Sequence, residues 1–244
     1  MTFDKSKRTH DEFYFKDKNY FERPKYTSIF FTKLIKNLKF KSLHDIGCAN
    51  GALLNYVNFI YKNKDLYGSD LRKELITDAK KKNIKHKNLK FFTNDFTNSK
   101  KIKIKTDIIV SVGVMDIFDE FDKTLRLLIN NCNKKGSIFI CQTFNKYAVD
   151  IVFRHRDVSK KNYSKTINQM GWNIFSIKYV SDLLRKNRKV KNFKFHQINY
   201  PKNLKVLKRN DPMRSWTTFY NNKKIFLNAL GVVHDKYFLQ INLN

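Results

Sequence analysis

The sequence predicts an α/β fold in which a doubly wound, mostly parallel sheet lies between two layers of helices. Five short apolar runs alternate with segments in which apolar residues recur at helical spacing. The runs are nearly continuous in Ile, Val and Phe, which is typical of strands buried on both faces. Strands that alternate with helices in this way form parallel sheets through βαβ connections.

Each element has its own signal in the chain. The five strands are predicted at 42–47, 66–71, 89–96, 107–114 and 137–144. Amphipathic helices between them are predicted in ALLNYVNFIY, RKELITDAKKK and DKTLRLLINNCNKK. A further helix is predicted in IFFTKLIKNL ahead of the first strand, with Thr27 or Ser28 as its N-cap.

The alternation breaks after the fifth strand. A helix is predicted in YVSDLLRKN, and two more strands are predicted at 192–200 and 236–243. The segments 145–172 and 203–235 are long for simple connections, and such segments in compact domains are typically covers or binding loops. We therefore expect both insertions to contact the substrate.

Length and composition exclude several classes of protein. The chain has 244 residues, of which 41% are hydrophobic, enough for a packed core. Its three cysteines form no CxxC pair, which excludes a disulfide scaffold and a zinc ribbon. The sequence contains neither a run of 18 apolar residues nor a signal peptide, so we expect a soluble, cytoplasmic protein. We expect one domain over 42–244, preceded by an N-terminal cap segment over 1–41.

The formal charge of +29, from 50 Lys and Arg against 21 Asp and Glu, suggests a polyanionic partner. The excess lies mostly in 80–105 and 178–209, and both segments also fit ordinary solvated helix ends and loops. Lys, Asn, Ile and Phe are abundant throughout the chain, as AT-rich codon usage produces. Charge alone therefore leaves a nucleic-acid surface open without favouring it.

The sharpest motif is HDIGCANG at 44–51, between the first strand and the helix that follows it. Glycines there allow a sharp turn and the close approach of a ligand. Asp70 ends the second strand and Asp95 ends the third. In dinucleotide folds, a carboxylate at the end of the second strand accepts hydrogen bonds from a ribose diol. Ligands of doubly wound sheets bind at the carboxyl ends of the strands. Together the three features predict a cofactor site at this edge of the sheet.

The pattern resembles the class I S-adenosylmethionine-dependent methyltransferases over about residues 40 to 145. Their signature is acidic–x–Gly–x–Gly–x–Gly, and the matching positions here are Asp45, Gly47, Ala49 and Gly51. The resemblance implies a Rossmann-like, seven-stranded mixed sheet with an antiparallel last strand, and S-adenosylmethionine as the cofactor. A dehydrogenase is disfavoured because no third glycine follows Ala49 at the spacing that its pyrophosphate fingerprint needs.

The resemblance also implies roles for the matching residues. The backbone of Gly47 and Cys48 would lie against the methionine part of the cofactor, Asp70 would hold the ribose hydroxyls, and Asp95 would accept from the adenine amino group. Asp45 as a brace of the turn, and Asp95 as a helix-capping turn, stay open as alternatives. The full set of implied cofactor contacts is Asp45, Gly47, Cys48, Ala49, Gly51, Asp70, Leu71, Asp95, Phe96, Val112 and Tyr26.

Methyl transfer to a hydroxyl requires a group that removes its proton. The candidates are His155 and Asp116, with His234 as a third, and we favour His155 because its loop follows the end of the fifth strand. Arginine pairs with phosphate or carboxylate, and tryptophan can stack on a sugar ring. No third ligand accompanies Asp116 and Asp119, so no metal site is predicted. The predicted substrate-binding residues are Arg154, Arg156, Arg214 and Trp216.

The stretch 211–241 is similar to that of bacterial methyltransferases of surface-polysaccharide and modified-sugar pathways. Together with the arginines, this similarity favours O-methylation of a capsule or lipopolysaccharide sugar, or of its nucleotide-linked precursor. A nucleic-acid methyltransferase is the alternative, although 113–118 has neither the Asp/Asn-Pro-Pro-Tyr nor the Pro-Cys arrangement of base methylation. A methyltransferase of a small non-sugar acid and a non-catalytic binding subunit also stay open.

Overall fold

The computed structural model describes residues 14–15, 23–97, 104–156, 169–205 and 215–244. Helices and strands alternate along these residues as the apolar pattern predicts. The helices are α1 (Tyr26–Leu34), α2 (Ala52–Ile60), α3 (Lys73–Lys82), α4 (Phe121–Asn131) and α5 (Ile177–Arg185), with a 3-10 turn at Met115–Ile117. The strands are β1 (Ser42–Ile46), β2 (Asp65–Asp70), β3 (Leu89–Thr93), β4 (Thr106–Val112), β5 (Cys132–Asn145), β6 (Arg154–His155), β7 (Gln169–Met170), β8 (Phe175–Ser176), β9 (Val190–Gln197), β10 (Trp216–Tyr220), β11 (Lys223–Leu227) and β12 (Asp235–Leu243).

Seven strands lie side by side in the order β3-β2-β1-β4-β5-β12-β9. The strands β1 to β5 pair with one another in parallel, whereas β12 is antiparallel to both of its neighbours, β5 and β9. The two-residue β8 pairs with the end of β5 as an eighth strand. The strand order reverses between β1 and β4, which is the switch point where doubly wound sheets bind ligands. The topology confirms the predicted doubly wound, mixed α/β sheet.

The sheet separates two apolar clusters. Helices α1, α2 and α3 contribute to the cluster on one face, and α4 and α5 contribute to the cluster on the other. Phe31 of α1 is fully buried, with its ring 5.3 Å from that of Phe139 and 5.8 Å from that of Phe238. Helix α1 therefore packs directly on the sheet, while the predicted division of the chain at residue 41 stays a prediction.

Several boundaries differ from the sequence prediction: β3 ends at Thr93, so Asp95 follows the strand instead of ending it, and the strand predicted at 192–200 spans 190–197. Helix α1 begins at Tyr26 with Lys25 as its N-cap, so the predicted N-cap at Thr27 or Ser28 is wrong. The reason is that the Ser28 N–H already donates to the Lys25 carbonyl at 2.9 Å, which closes the first turn earlier. Strand β5 also starts before its predicted first residue, because Cys132 pairs with the start of β4 across an irregularity in the ladder.

The two insertions contain short hairpins. Strand β6 pairs antiparallel with β7 in the first insertion, and β10 pairs antiparallel with β11 in the second. Residues 157–168 and 206–214 of the insertions lie outside the described residues. Within the described ranges, no helix is long and apolar enough to cross a membrane.

Candidate active site

The loop between β1 and α2 is tied to the end of β2. The N–H groups of Gly47 and Cys48 donate to the Ser69 carbonyl at 2.8 and 3.0 Å. Gly47 and Gly51 have φ angles of +78° and +79°, in the left-handed region that glycine adopts most readily. A Cβ on Gly47 would lie 2.2 Å from Cγ2 of Val114. The turn therefore needs glycine at position 47 for both its backbone angle and its space.

Asp70 holds this loop from the end of β2. Its Oδ2 accepts the Ala49 N–H at 2.9 Å, and its Oδ1 accepts the Arg72 N–H at 2.9 Å. Ala49 has φ +48°, a conformation that costs a residue with a Cβ about 1–2 kcal/mol. Each carboxylate oxygen has two acceptor sites, so Asp70 can hold the loop and still accept hydrogen bonds from a ligand.

A first cavity, of about 350 Å³, lies beside the loop and is lined by Asp45, Asn50 and Ser28, among others. Asp45 is 3% exposed, and burial together with the charge of Asp70 raises its pKa to about 8. No described residue donates a hydrogen bond to the Asp45 carboxylate. The buried Oδ1 of Asn50 likewise has no partner in the described part of the chain. Two such acceptors fit a ligand that brings N–H donors and positive charge.

A second cavity, of about 130 Å³, lies at the ends of β2, β3 and β4 and is lined by Asp70, Leu71, Asp95 and Phe96. The Oδ1 of Asp95 accepts the Thr97 N–H at 3.1 Å, so this carboxylate closes the turn after β3. Phe96 is buried. The cavity thus combines two carboxylates with an aromatic side chain.

A third cavity, of about 580 Å³, involves the ends of β4 and β5, the start of β12 and parts of both insertions. Val112, the last residue of β4, lines all three cavities, so the three spaces meet there. The aromatic lining consists of Tyr14, Tyr26, Trp172 and Tyr200. The polar lining consists of Lys25, Thr27, Asp116, Gln142, Thr143, Asn203, Lys205, Ser215, Asn228, His234 and Lys236.

His234 and Ser215 form a hydrogen-bonded pair in the third cavity. The Nδ1 of His234 lies 2.8 Å from the Val232 carbonyl, and its Nε2 lies 2.8 Å from the Ser215 hydroxyl. A carbonyl only accepts, so Nδ1 carries the proton and Nε2 accepts the hydroxyl hydrogen of Ser215. Burial lowers the pKa of His234, which favours the neutral ring. The pair can therefore accept a proton at Nε2.

A family model described as a methyltransferase domain matches residues 39–177. The chain belongs to this methyltransferase family. The match runs from the residues before β1 to the first residue of α5, so it includes the β1–α2 loop and the ends of the parallel strands. A comparison with curated protein sequences finds no match.

Solved structures with a similar fold include methyltransferases and proteins bound to S-adenosylhomocysteine. Coclaurine N-methyltransferase bound to N-methylheliamine and S-adenosylhomocysteine has 16% identity and a TM-score of 0.55, over 70% of this chain and 50% of that chain. TehB from Haemophilus influenzae has 14% identity and a TM-score of 0.54, over 96% and 66%. The N-terminal domain of EvdMO1 with S-adenosylhomocysteine and D-fucose has 9% identity and a TM-score of 0.58, over 94% and 84%. The chain thus spans half the length of the first of these proteins.

These findings confirm the predicted fold and enzyme class: the chain carries an S-adenosylmethionine-dependent methyltransferase domain, and S-adenosylmethionine is its cofactor. The residues present fit this group. Asp45 and Asn50 offer acceptors to a cationic ammonium group, and Asp70 stands at the strand end where a ribose diol is held. Among the described residues of the methyltransferase, no group of three His, Cys, Asp or Glu could hold a metal ion.

The structure brings most of the predicted cofactor residues of the methyltransferase together. Gly51 shapes the turn without lining a cavity, and Tyr26 lines the third cavity rather than the first two. Burial raises the pKa of Cys48 far above its usual value, so its thiol stays protonated. The predicted residues that line the first or second cavity are Asp45, Gly47, Cys48, Ala49, Asp70, Leu71, Asp95, Phe96 and Val112.

Only some of the residues predicted to deprotonate the acceptor hydroxyl line a cavity. Asp116 lines the third cavity, whereas His155 lies on β6 and lines none of the three cavities. The preference for His155 assumed that it lies where the loop after β5 covers the site. This loop does contribute Gly171 and Trp172 to the third cavity, but His155 pairs within the β6–β7 hairpin and lines none of the three cavities, whereas His234 lines the third. On this geometry, we reverse the choice of base from His155 to His234.

Among the predicted substrate-binding residues that the structure describes, Arg154, Arg156 and Trp216 line none of the three cavities. Arg154 forms an ion pair with Asp119, Arg156 is exposed, and Trp216 is half-buried on β10. Arg214 lies outside the described residues. Sequence reasoning missed Gln142, whose only signal was a polar pair, Gln-Thr, that interrupts the apolar run of β5.

Proposed function

We propose that the protein transfers the methyl group of S-adenosylmethionine to a hydroxyl of a sugar or nucleotide-linked sugar. The observation that carries this proposal is the third cavity, in which amide, hydroxyl, lysine and aromatic side chains surround one space that meets the cofactor cavities at Val112. Sugars require many hydrogen-bond donors and acceptors together with flat apolar surface, and this lining supplies both.

We place the cofactor across the first and second cavities. Asp45 and Asn50 would receive its ammonium group, the Gly47–Cys48 backbone would lie along its methionine part, and Asp70 would accept from the ribose hydroxyls. Phe96 and Asp95 would border the adenine. When bound, S-adenosylmethionine supplies an activated methyl group on its sulfonium, and this group would lie toward Val112.

The Ser215–His234 pair would take the proton of the acceptor hydroxyl. Ser215 donates its hydrogen to Nε2 of His234, so its oxygen lone pairs are available to the acceptor hydroxyl. As the new carbon–oxygen bond forms, the acceptor proton would pass to Ser215 while the Ser215 proton moves to Nε2. The bond from Nδ1 to the Val232 carbonyl stabilises the positive ring that results. Asp116 would orient the acceptor as a second hydrogen-bond acceptor in the cavity.

The lysines support an anionic form of the acceptor. Lys25, Lys205 and Lys236 line the third cavity, and lysine is a common phosphate ligand. A nucleotide-linked or phosphorylated sugar would match both the polar wall and these charges. Among proteins of similar fold, the EvdMO1 domain was solved with D-fucose present. The similarity of 211–241 to surface-polysaccharide methyltransferases supports a role in bacterial capsule or lipopolysaccharide biosynthesis.

The test is a methyl-transfer assay with labelled S-adenosylmethionine and purified protein. The acceptors are UDP-, GDP- and dTDP-linked hexoses, hexose phosphates, small carboxylic acids, and short RNA at two salt concentrations. We expect label only in the sugar-containing acceptors, located on an oxygen by mass spectrometry, above an acceptor-free background. Transfer only to RNA, with binding that weakens steeply with salt, would instead support a nucleic-acid methyltransferase. Transfer only to the carboxylic acids would equally overturn the sugar proposal.

A further inference from the structure

Gln142 carries a buried amide that has no hydrogen-bond partner among the described residues. It lies on β5, directly between Cys141 and Thr143, and all three residues line the third cavity. Gln142 is only 3% exposed. Neither its Nε2 nor its Oε1 has a hydrogen-bond partner in the described ranges. On the paired strand β12 it faces Tyr237, which is also buried.

A buried amide in this state is costly for the free protein. Folding removes both polar atoms from bulk water, and no group in the described part of the chain replaces the lost hydrogen bonds. Buried polar groups in proteins are almost always paired, so an unpaired one that lines a cavity points to a ligand as its partner. A glutamine amide presents one donor side and one acceptor side in a single plane, so its complement must both accept and donate.

Trp172 supplies a second, independent observation in the same cavity. Its φ is +66°, in the left-handed region that a bulky residue rarely adopts. The next residue, Asn173, is fully buried and anchors this strained segment: its N–H donates to the Asp116 carbonyl at 2.9 Å, and its side-chain Nδ2 donates to the Phe118 carbonyl at 3.0 Å. Strained residues persist where the surrounding structure over-determines them, and they cluster at ligand sites. The fold thus holds an indole ring at the wall of this cavity.

We infer, on the basis of the proposed sugar methyltransferase activity, that Gln142 and Trp172 form the subsite that determines acceptor specificity. Gln142 donates to one hydroxyl of the sugar ring and accepts from its neighbour, and Trp172 packs against the apolar face of the ring. The subsite therefore selects a pyranose with two adjacent hydroxyls. These two residues are specificity-determining, and the proton transfer stays with the Ser215–His234 pair.

The experiment compares Gln142→Met with Gln240→Met. Methionine has nearly the shape of glutamine and no amide. Gln240 is a matched control because it lies on β12, next to β5, and its amide is already paired with Asn242 and His196. The readouts are kcat/KM for the best nucleotide-linked hexose of the panel, affinity for S-adenosylhomocysteine by calorimetry, and the midpoint of urea unfolding.

Gln142→Met should lower kcat/KM for the hexose by about 30- to 100-fold, which matches the loss of one to two buried hydrogen bonds. Its affinity for S-adenosylhomocysteine should stay within twofold of wild type, and its unfolding midpoint should be equal or higher because unpaired polar atoms are removed. Gln240→Met should show the reverse, with a lower midpoint and unchanged kcat/KM. A Gln142→Met variant with wild-type kcat/KM would overturn the subsite, as would one with a lowered midpoint and unchanged acceptor kinetics.

A second measurement needs no variant. Wild-type protein should discriminate at least tenfold between the accepted hexose and analogues that lack one of two adjacent hydroxyls, since the deoxy analogue leaves the amide unpaired again. Equal kcat/KM for the hexose and for every deoxy analogue would overturn the subsite while leaving the proposed function intact. If wild type instead methylates none of the sugars, the proposed function itself fails, and the subsite fails with it.

Discussion

In this methyltransferase, the first and second cavities, where we place the cofactor, are formed in a different way from the third cavity, where we place the acceptor. The first and second cavities take their central residues from the ends of the parallel strands, between Asp45 and Val112. The third cavity combines residues as distant in the chain as Lys25 and Lys236. The hydrogen bonds differ as well: backbone N–H groups of the cofactor loop are satisfied by Ser69 and Asp70, whereas the Gln142 amide has no partner among the described residues.

The fold itself holds the cofactor loop in shape, whereas the third cavity leaves the Gln142 amide unpaired among the described residues, which is the basis for proposing a ligand there. A loop fixed by its own strand ends needs only local sequence, so its motif is recognisable in a single chain. A cavity formed by two insertions and the last strand needs the whole fold before its residues meet. Changes at the cofactor edge should therefore act on stability and cofactor affinity, and changes in the third cavity should act on turnover.

The largest effect is expected from Gly47→Ala. A methyl group at this position would lie 2.2 Å from Val114, and the φ of +78° adds the cost of a left-handed residue. We expect the free energy of unfolding to fall by about 2–5 kcal/mol, as overpacking and backbone strain add. Urea unfolding measures this change, and S-adenosylhomocysteine affinity should fall with it.

Gly113→Ala is the matched control for this substitution. Gly113 also has a positive φ, +65°, but a Cβ there meets nothing within 4 Å. Gly113→Ala should therefore lower the free energy of unfolding only by the strain of a left-handed backbone, about 1–2 kcal/mol. Equal losses for the two variants would show that contact with Val114 does not fix the loop.

The second largest effect separates two histidines. His234→Gln should lower turnover by about 10²-fold at saturating acceptor, because it removes the group that accepts the proton. Affinity for S-adenosylhomocysteine should not change, since His234 lines only the third cavity. His155→Gln should leave turnover within a few-fold of wild type. A large loss at His155 with little loss at His234 would restore the interpretation drawn from the sequence.

The positions of these histidines in the fold show how much of the site the sequence can predict. Asp70 and the β1–α2 loop could be placed because each directly follows a strand whose apolar run is unambiguous. His234 is different: it precedes β12, and only the antiparallel addition of β12 beside β5 brings it to the same cavity as Asp116. Distance along the chain hides such contacts, so a loop that follows β5 looked the better candidate.

The first insertion illustrates a second kind of contact that the sequence alone does not reveal. Arg154 was predicted to bind an anionic substrate, but its guanidinium pairs with Asp119, which follows β4. A charge pattern in one chain cannot show which acid lies across from a given base. Gln142 was missed for a related reason: a polar residue inside a buried strand has no local signal that tells a ligand-facing amide from one paired within the sheet.

The third effect tests the carboxylate that holds the cofactor loop. Asp70→Ala removes the acceptor of the Ala49 and Arg72 N–H groups and the proposed acceptor of the ribose hydroxyls, so S-adenosylhomocysteine affinity should weaken by about 1.5–3 kcal/mol. Calorimetric titration with S-adenosylhomocysteine measures this loss of affinity. The control is Asp78→Ala, which breaks a helix-surface ion pair with Lys82 and should leave affinity unchanged. Unaltered affinity in a folded Asp70→Ala protein would contradict the assignment of Asp70.

The smallest effect concerns pH and the buried Asp45. The pKa of this carboxyl is about 8 in the folded protein against an ordinary 3.8, so between these values the folded state keeps a proton that the unfolded chain has released. The free energy of unfolding therefore falls as pH rises through this window. His44 has the opposite effect on the free energy of unfolding. Burial lowers its pKa from 6.5 to about 4, so between these values the unfolded chain binds a proton that the folded state does not, and stability falls as pH falls below 6.5. Burial also lowers the pKa values of His196 and His234, which act in the same direction as His44, so the Asp45 effect is isolated by comparison with Asp45→Asn between pH 6.5 and pH 8.

In that window, wild type should lose up to about 1.4 kcal/mol of unfolding free energy per pH unit relative to Asp45→Asn. Urea unfolding of both proteins at pH 6.5 and pH 8 measures the difference. Parallel stabilities at the two pH values would show that Asp45 is already ionised in the folded protein. Saturating S-adenosylmethionine should reduce the difference, because a cation beside Asp45 stabilises the carboxylate and lowers its pKa. Acceptor added alone should not reduce it, since Asp45 lines the first cavity and not the third.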